Sequence, residues 1–207
     1  MRDPESRLPP DDFIRARVKM ELRKRLRGVR ATMPLEACAK RSAEIVKRLE
    51  ALPVFQVAKR VALFWPIVER KEVDLRPLDS VLRARGASVA YPAIDPETGA
   101  MTFRFAVPEE LEERGYNFAE PPPTAPEADG FDVVVVPAVA IDPVGHRIGY
   151  GAGYYDRTLP KYCPPALAIG VAYDFQLVAE VPFNEFDAKV GYVVTDEREI
   201  DPRAAAE

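Results

Sequence analysis

Residues 133–156, with the sequence VVVVPAVAIDPVGHRIGYGAGYYD, join a strong strand signal to a glycine loop. Consecutive valines are typical of a central parallel strand that is covered on both faces, so we predict a strand over residues 131–141. Glycines alternate with other residues over 149–153, and a helix is predicted at 154–159. A strand, a loop and a helix in this order indicate an α/β protein.

The glycine loop has the composition of an anion site. Gly149, Gly151 and Gly153 leave the backbone uncovered, so that successive amides can point at one anion beside the helix that follows. Arg147 offers a guanidinium fork to phosphate oxygens, and Asp156 offers a carboxylate that can either hold magnesium or orient a donor. The pattern matches neither the Walker motif nor the dinucleotide fingerprint, so the alternative is a tight connector without a ligand.

The rest of the chain predicts further elements of the same α/β architecture. Short apolar runs predict strands at residues 61–65, 88–91, 101–105, 166–171 and 190–195. Helices are predicted at residues 13–29, 34–52, 75–85 and 175–181. Residues 61–91 form a β-α-β unit, which favours a parallel crossover, whereas residues 101–105 suit an edge or antiparallel strand. The 88–91 strand is expected to end at Pro92.

We therefore expect a layered α/β fold with a mostly parallel sheet flanked by helices and preceded by two N-terminal helices. Residues 1–12 are predicted to be a flexible leader, and residues 13–207 to be one domain.

Composition excludes several classes of function. The longest apolar run falls well short of the roughly 18 residues of a membrane span, and the N-terminus lacks a secretory signal, so a cytoplasmic protein is expected. A net charge of -4 argues against a general nucleic-acid binder. The single histidine excludes a histidine-rich metal site and leaves oxygen ligands, which favours magnesium. A monomer is expected, because no extended exposed apolar helix face is evident.

Basic residues crowd the first predicted helix. They are Arg15, Arg17, Lys19, Arg23, Lys24, Arg25, Arg27 and Arg30. One interpretation is a solvated helix face. The other is a phosphate grip, because Lys19 and Arg23 are spaced to share one face of the helix.

The glycine loop and its surroundings resemble the signature of the 5-formyltetrahydrofolate cyclo-ligases, also called methenyltetrahydrofolate synthetases. The resemblance rests on VPAVA at 136–140 and GHRIGYGAGYYDR at 145–157. It continues in the family's order through KMELR at 19–23, WP at 65–66, EVD at 72–74, EP at 120–121, AYDFQ at 172–176 and Asp187. It thus covers nearly the whole chain after the leader.

The resemblance implies an ATP- and Mg²⁺-dependent enzyme that acts on a reduced folate. The implied ATP-binding residues are Lys19, Arg23, Arg147, Gly149, Tyr150, Gly151, Ala152, Gly153, Tyr154 and Tyr155. The implied substrate contacts are Trp65, Glu72 and Tyr155, the metal ligands Asp156 and Asp187, and the catalytic residues Arg147, Tyr155 and Asp156. Without the resemblance, Trp65 is equally a core residue and Asp187 an ordinary surface acid.

The reaction of the family joins these implied roles. The terminal phosphate of ATP passes to the formyl oxygen of 5-formyltetrahydrofolate, and the second nitrogen of the substrate attacks the resulting iminium phosphate. Loss of phosphate yields 5,10-methenyltetrahydrofolate. This chemistry requires mainly positioning and charge neutralisation from the protein.

The sequence departs from the family mainly on the folate side. Residues 65–72 are longer than the usual spacing, so that Glu69 competes with Glu72 as the acid facing the pterin, and Leu75 replaces a common threonine. Ala152 interrupts the glycines, and Phe186 stands where a histidine is frequent. The alternative function is therefore a paralogue that binds Mg-ATP but acts on another substrate, or that regulates without catalysis.

Overall fold

The structure is a computed structural model that describes residues 11–115 and 118–204. Its helices are α1 (Asp11–Thr32), α2 (Leu35–Ala51), α3 (Pro53–Val57), α4 (Arg76–Ala84) and α5 (Tyr154–Thr158). Its strands are β1 (Arg60–Ala62), β2 (Ser88–Ile94), β3 (Met101–Phe105), β4 (Glu112–Glu113), β5 (Ala119–Glu120), β6 (Val133–Pro137), β7 (Ala140–Ile141), β8 (Arg147–Ile148), β9 (Leu167–Val171), β10 (Tyr192–Val194) and β11 (Glu199–Ile200).

A seven-stranded sheet of order β11-β10-β9-β6-β1-β2-β3 forms the centre of the fold. The interior pairs are parallel, whereas β3 and β11 pair antiparallel at the two edges. The four valines of β6 are fully buried, as expected for a central strand with apolar layers on both faces. The predicted mostly parallel α/β fold is confirmed, together with the crossover from β1 through α4 to β2.

The two N-terminal helices are confirmed, with changed boundaries. Helix α1 begins at Asp11, two residues before the predicted start of the helix. The flexible leader predicted at residues 1–12 falls almost wholly in residues 1–10, outside the described part of the chain, and stays a prediction. The first half of α1 exposes apolar side chains, because Phe13 is 60% and Ile14 42% accessible. This exposed face contradicts the reason given for a monomer, and the monomeric state itself stays a prediction.

Strand β2 does not end at Pro92, contrary to the prediction. The even-numbered backbone groups of β2 face β1, since Leu63 N–H donates to Ala90 O at 2.9 Å. Strand β1 has already ended where Pro92 follows, so no partner strand needs the amide hydrogen that proline lacks. Two residues after Pro92, the Ile94 N–H donates a hydrogen bond to the Glu120 carboxylate at 2.8 Å.

The helix predicted at residues 175–181 is wrong. Only a 3₁₀ turn forms, at Asp174–Gln176, and the Gln176 side chain closes it by accepting Tyr173 N–H at 3.0 Å. The amides that follow bond outside the segment, because Val178 N–H donates to Ile141 O and Val181 N–H to Asp142 Oδ2. The Gln176 amide also donates to the carbonyls of Ala138 and Val139, where the predicted strand 131–141 divides into β6 and β7.

No helix in the described ranges has the length and apolarity needed to cross a membrane.

Candidate active site

A cavity of about 670 Å³ opens at the carboxyl ends of β6, β1 and β2. Pro137 closes β6 at the cavity wall, Trp65 follows β1, and Ile94 ends β2. Ligands of open α/β sheets bind at this edge. Every site residue implied by the family resemblance lines this one cavity. These residues come from α1, from the loop after β1, from β8 and the loop that follows it, from α5 and from the segment before β10.

The glycine loop takes up the backbone conformations that its glycines permit. Gly151 and Gly153 have φ angles of 108° and 67°, a region that side chains disfavour. Ala152 between them is not left-handed, since the described non-glycine residue with positive φ is Lys71. Ala152 therefore fits the loop without strain. Helix α5 ends at Thr158, one residue earlier than predicted, and spans little more than one turn.

Helix α1 places two of its basic residues against the cavity. Lys19 Nζ lies 2.5 Å from Asp187 Oδ2, and Arg23 Nε donates to Gly149 O at 2.8 Å. Burial and the nearby charge of Arg27 lower the pKa of the Arg23 guanidinium. Lys24 on the same helix is exposed. The basic run thus contains a pair that faces the cavity as well as solvated residues, so both interpretations of the sequence apply to different residues.

Arg147, which is buried, and Asp156, which is partly exposed, form an ion pair beside the glycine loop. Arg147 donates to Asp156 Oδ1 at 2.8 Å, and the Ala188 N–H donates to the same oxygen at 3.2 Å. Arg147 is 6% exposed, and its Nε has no hydrogen-bond partner among the described residues. A buried guanidinium with unused donors is suited to an anionic ligand.

The Tyr155 ring packs between the core and the cavity. The Arg147 guanidinium lies 5.7 Å from the ring centroid, and Phe103 meets the ring edge-on at 6.3 Å. Burial raises the pKa of the Tyr155 hydroxyl, which has no hydrogen-bond partner within the described ranges. Tyr155 thus stays protonated and adds a donor to the cavity region.

Glu72, not Glu69, is the acid of the loop after β1 that lines the cavity. Its Oε2 accepts the Ile67 N–H at 2.9 Å and its Oε1 accepts the Tyr150 hydroxyl. Glu69 belongs to the exposed 3₁₀ turn Val68–Arg70, which takes up the additional residues of this loop. Glu69 therefore stays outside the cavity lining, whereas Arg70 of the same turn contributes to it.

The other departures from the family pattern differ in their consequences. Leu75 is 1% exposed and packs in the core, outside the cavity lining. Phe186 is 76% exposed at the cavity edge. Trp65 is both a core residue and a cavity residue. It packs edge-on against the buried Tyr91, with ring centroids 5.8 Å apart, and it also lines the cavity.

Sequence reasoning missed part of the site. Arg30, which is 4% exposed, donates to the Tyr150 hydroxyl, although in the sequence it looked like one more solvated base. Its spacing of seven from Arg23 was the available signal, since residues two turns apart share a helix face. The rest of the apolar wall beyond Trp65 was also missed, and it includes Phe64, Ile67, Pro92, Ile94, Met101 and Phe118.

Comparisons with known proteins identify the family to which the chain belongs. The family model of the 5-formyltetrahydrofolate cyclo-ligases matches residues 15–196. A 5-formyltetrahydrofolate cyclo-ligase of Mycolicibacterium smegmatis is 30% identical over 89% of this chain and 96% of its own length. The protein of that name from Escherichia coli K12 is 32% identical over 72% of this chain and 84% of its own length.

A solved structure gives the same result. The solution structure of 5,10-methenyltetrahydrofolate synthetase from Aquifex aeolicus superposes with a TM-score of 0.78 at 31% identity, covering 90% of this chain and 93% of that one. Sequence and fold therefore agree over nearly the whole described chain, and the protein is a member of the 5-formyltetrahydrofolate cyclo-ligase family.

Proposed function

We propose that the protein is an ATP- and Mg²⁺-dependent cyclo-ligase that converts 5-formyltetrahydrofolate to 5,10-methenyltetrahydrofolate, with release of ADP and phosphate. The observation that carries the proposal is the single cavity. It unites a cationic glycine loop with a mostly apolar wall that contains one buried carboxylate. A phosphate donor and a flat heterocyclic acceptor need these two surfaces side by side.

The cationic half of the cavity suits the nucleotide phosphates. Lys19, Arg23 and Arg147 line the same cavity as the glycine loop, and Arg23 bonds to the loop carbonyl of Gly149. The loop backbone is uncovered at its glycines. Cations and backbone amides that are already positioned stabilise the charge that develops during phosphoryl transfer, without reorganisation in the transition state.

The apolar half suits the folate. Trp65, Met101 and Tyr155 offer flat or flexible apolar surface, and Glu72 offers acceptor oxygens to the N–H groups of a pterin. These contacts would hold the formyl oxygen towards the glycine loop. Holding both reactants in this geometry makes a bimolecular step effectively unimolecular and so accelerates it.

Asp156 and Asp187 are suited to supply two of the ligands of a magnesium ion. Asp156 Oδ2 and Asp187 Oδ1 accept no hydrogen bond from the described residues, so each carboxylate keeps one free oxygen. The described ranges contain no cluster of three or more possible ligands among His, Cys, Asp and Glu. Magnesium commonly takes one or two carboxylates and completes its shell with phosphate oxygens and water. Asp156 and Asp187 would hold it in that way, and bound there it would neutralise phosphate charge.

The protein's part in the reaction follows from these positions. The terminal phosphorus of ATP bonds to the formyl oxygen as its bond to the ADP oxygen breaks, while Lys19, Arg23 and Arg147 neutralise the phosphate oxygens. The second folate nitrogen then bonds to the formyl carbon and gives up its proton, and the carbon–oxygen bond breaks to release phosphate. No side chain needs to act as a covalent nucleophile.

One assay tests the proposal. The purified protein is supplied with 5-formyltetrahydrofolate, ATP and magnesium, and the absorbance of methenyltetrahydrofolate is followed. Product that depends on both ATP and magnesium is the expected result. Clear ATP binding without product would instead support a paralogue with another substrate, and absence of both would overturn the nucleotide site as well.

A further inference from the structure

Three side chains form a continuous hydrogen-bonded chain from helix α1 to the cavity. Arg30, in the last turn of α1, donates to the hydroxyl of Tyr150, and that hydroxyl donates to Glu72 Oε1. Arg30 and Glu72 are both buried, with 4% and 8% accessibility. Tyr150 belongs to the glycine loop, whereas Glu72 belongs to the loop after β1. The chain therefore joins two loops that are otherwise distant in sequence.

The glycine loop is fixed to α1 at two successive residues. Arg23 holds the carbonyl of Gly149 at 2.8 Å, and Arg30 holds the hydroxyl of Tyr150. The Tyr150 ring also lies among the guanidinium groups of Arg27, Arg30 and Arg70, with Arg70 closest at 4.8 Å from the centroid. A ligand that contacts the loop at Gly149 therefore acts directly beside the residue whose hydroxyl bonds to Glu72.

The orientation of the Glu72 carboxylate depends on that hydroxyl. The Ile67 N–H fixes one carboxylate oxygen at 2.9 Å, so the Tyr150 hydroxyl determines how the second oxygen is directed. Burial, followed by the charge of Glu72, raises the pKa of Tyr150 to about 12. The hydroxyl accordingly remains a donor at neutral pH, and Glu72 the acceptor.

We propose that Tyr150, held by Arg30, is a positioning residue that couples the glycine loop to Glu72, so that the nucleotide and the folate bind cooperatively. The inference rests on the proposed function, in which the loop receives ATP and Glu72 receives the folate. A nucleotide bound to the loop sets the position of Tyr150 and, through its hydroxyl, the orientation of Glu72, so the folate then binds a site that is already arranged. By linkage, the folate strengthens nucleotide binding by the same factor.

Calorimetry measures this coupling directly. The dissociation constant of 5-formyltetrahydrofolate is determined with and without a saturating non-hydrolysable ATP analogue and magnesium. For the unsubstituted protein we expect the analogue to lower the constant at least about fivefold, within the usual range of coupling between sites. Tyr150→Phe, which keeps the ring but removes the hydroxyl, should reduce the ratio to below about twofold. Arg30→Met should act in the same direction.

The control is Tyr162→Phe, which removes another buried tyrosine hydroxyl. Its bond goes to Ala128 O at 3.3 Å, away from the cavity lining, so this variant should keep the full ratio. A ratio of one in the unsubstituted protein, with both ligands bound, would overturn the coupling and leave the proposed function intact. A full ratio in Tyr150→Phe would also overturn it, even if both affinities fell equally, because the hydroxyl would then only support the loop. Failure of the unsubstituted protein to bind the folate would overturn both proposals.

Discussion

Lys19 and Asp187 are 168 positions apart in the sequence, yet Lys19 Nζ lies 2.5 Å from Asp187 Oδ2. The same oxygen accepts the Asn184 N–H at 2.8 Å, so the ion pair joins α1 to the segment that borders the cavity before β10. Both side chains keep about a fifth of their surface, at 18% and 20% exposure. The ammonium group is thus already held at the cavity edge, where a phosphate would become its second anionic partner.

Lys19→Ala should weaken ATP binding more than folate binding. Loss of a charged hydrogen bond costs about 1.5–3 kcal/mol, which corresponds to roughly a ten- to hundredfold rise in the dissociation constant for ATP. Titration calorimetry with each ligand measures the two effects. Lys24→Ala is the matched control, because Lys24 is exposed on the same helix and outside the cavity. Similar ATP affinities in the two variants would remove Lys19 from the nucleotide site.

Arg147→Ala should also act mainly on ATP, and more strongly. The variant removes a buried guanidinium and leaves Asp156 without its partner at 2.8 Å, so added negative charge would face the phosphates. Arg147→Lys keeps the charge but loses the forked geometry, so it should recover only part of the affinity. Calorimetry separates the ligands, and equal losses for ATP and folate in Arg147→Ala would contradict the assigned role.

Glu72→Ala should show the opposite preference. Removal of the carboxylate takes away acceptors for the pterin, so the dissociation constant of 5-formyltetrahydrofolate should rise about tenfold or more, as expected for lost charged hydrogen bonds. Glu69→Ala is the control, since Glu69 lies three positions earlier and its exposed side chain does not line the cavity. If Glu69→Ala impaired folate binding and Glu72→Ala did not, the assignment of the two acids would be reversed.

Gly145→Ala and Gly28→Ala should change stability in opposite directions. At Gly145 the φ angle is 93°, and an added Cβ would lie 2.3 Å from the Val190 carbonyl oxygen. We expect a loss of about 2–4 kcal/mol from strain and overlap. Gly28 has open space around it within α1, so alanine there should add about 0.5–1 kcal/mol. Urea unfolding measures both, and a neutral Gly145→Ala would contradict the close approach to Val190.

The Tyr150 hydroxyl should make stability fall at alkaline pH. An unfolded tyrosine loses its proton near pH 10, whereas burial raises the pKa of Tyr150 to about 12 in the folded protein. Its contribution is therefore fully present below about pH 10 and is lost as the pH rises towards about 12. Tyr150→Phe has no such proton, so its free energy of unfolding should decline less between about pH 9 and about pH 11. Urea midpoints at the two pH values compare the proteins, and parallel declines would refute the assignment.

Local sequence signals were sufficient to predict the central architecture. The valines at 133–136 specify a buried parallel strand, and the runs on either side of α4 specify the crossover beside it. The predicted ends of strands and helices were wrong where residues distant in the sequence determine the hydrogen bonding of the backbone. Pro92 is tolerated inside β2 because β1 has already ended beside it. In the segment that was predicted to be a helix, the Gln176 side chain instead closes a single 3₁₀ turn. Neither outcome is visible in a local window, because each depends on distant partners.

Prediction of the site from sequence was limited in the same way, because some roles depend on residues that are distant in the chain. Glycine spacing and the family resemblance selected residues that line one cavity, but they did not distinguish Glu69 from Glu72. That distinction depends on the turn Val68–Arg70 and on the hydroxyl of Tyr150, a residue assigned from sequence only to the nucleotide. Arg30 could not be separated from its basic neighbours, because burial at the end of α1 depends on how the helix packs.

The position of Trp65 gives the protein a built-in optical probe. It is the single tryptophan of the chain, and its indole lies at the cavity wall against Tyr91. Indole fluorescence excited at the red edge of protein absorption therefore originates from one place, the apolar half of the cavity. A change in its intensity or emission wavelength reports on that half without a label, whereas a ligand confined to the glycine loop should alter it only through movement of the wall.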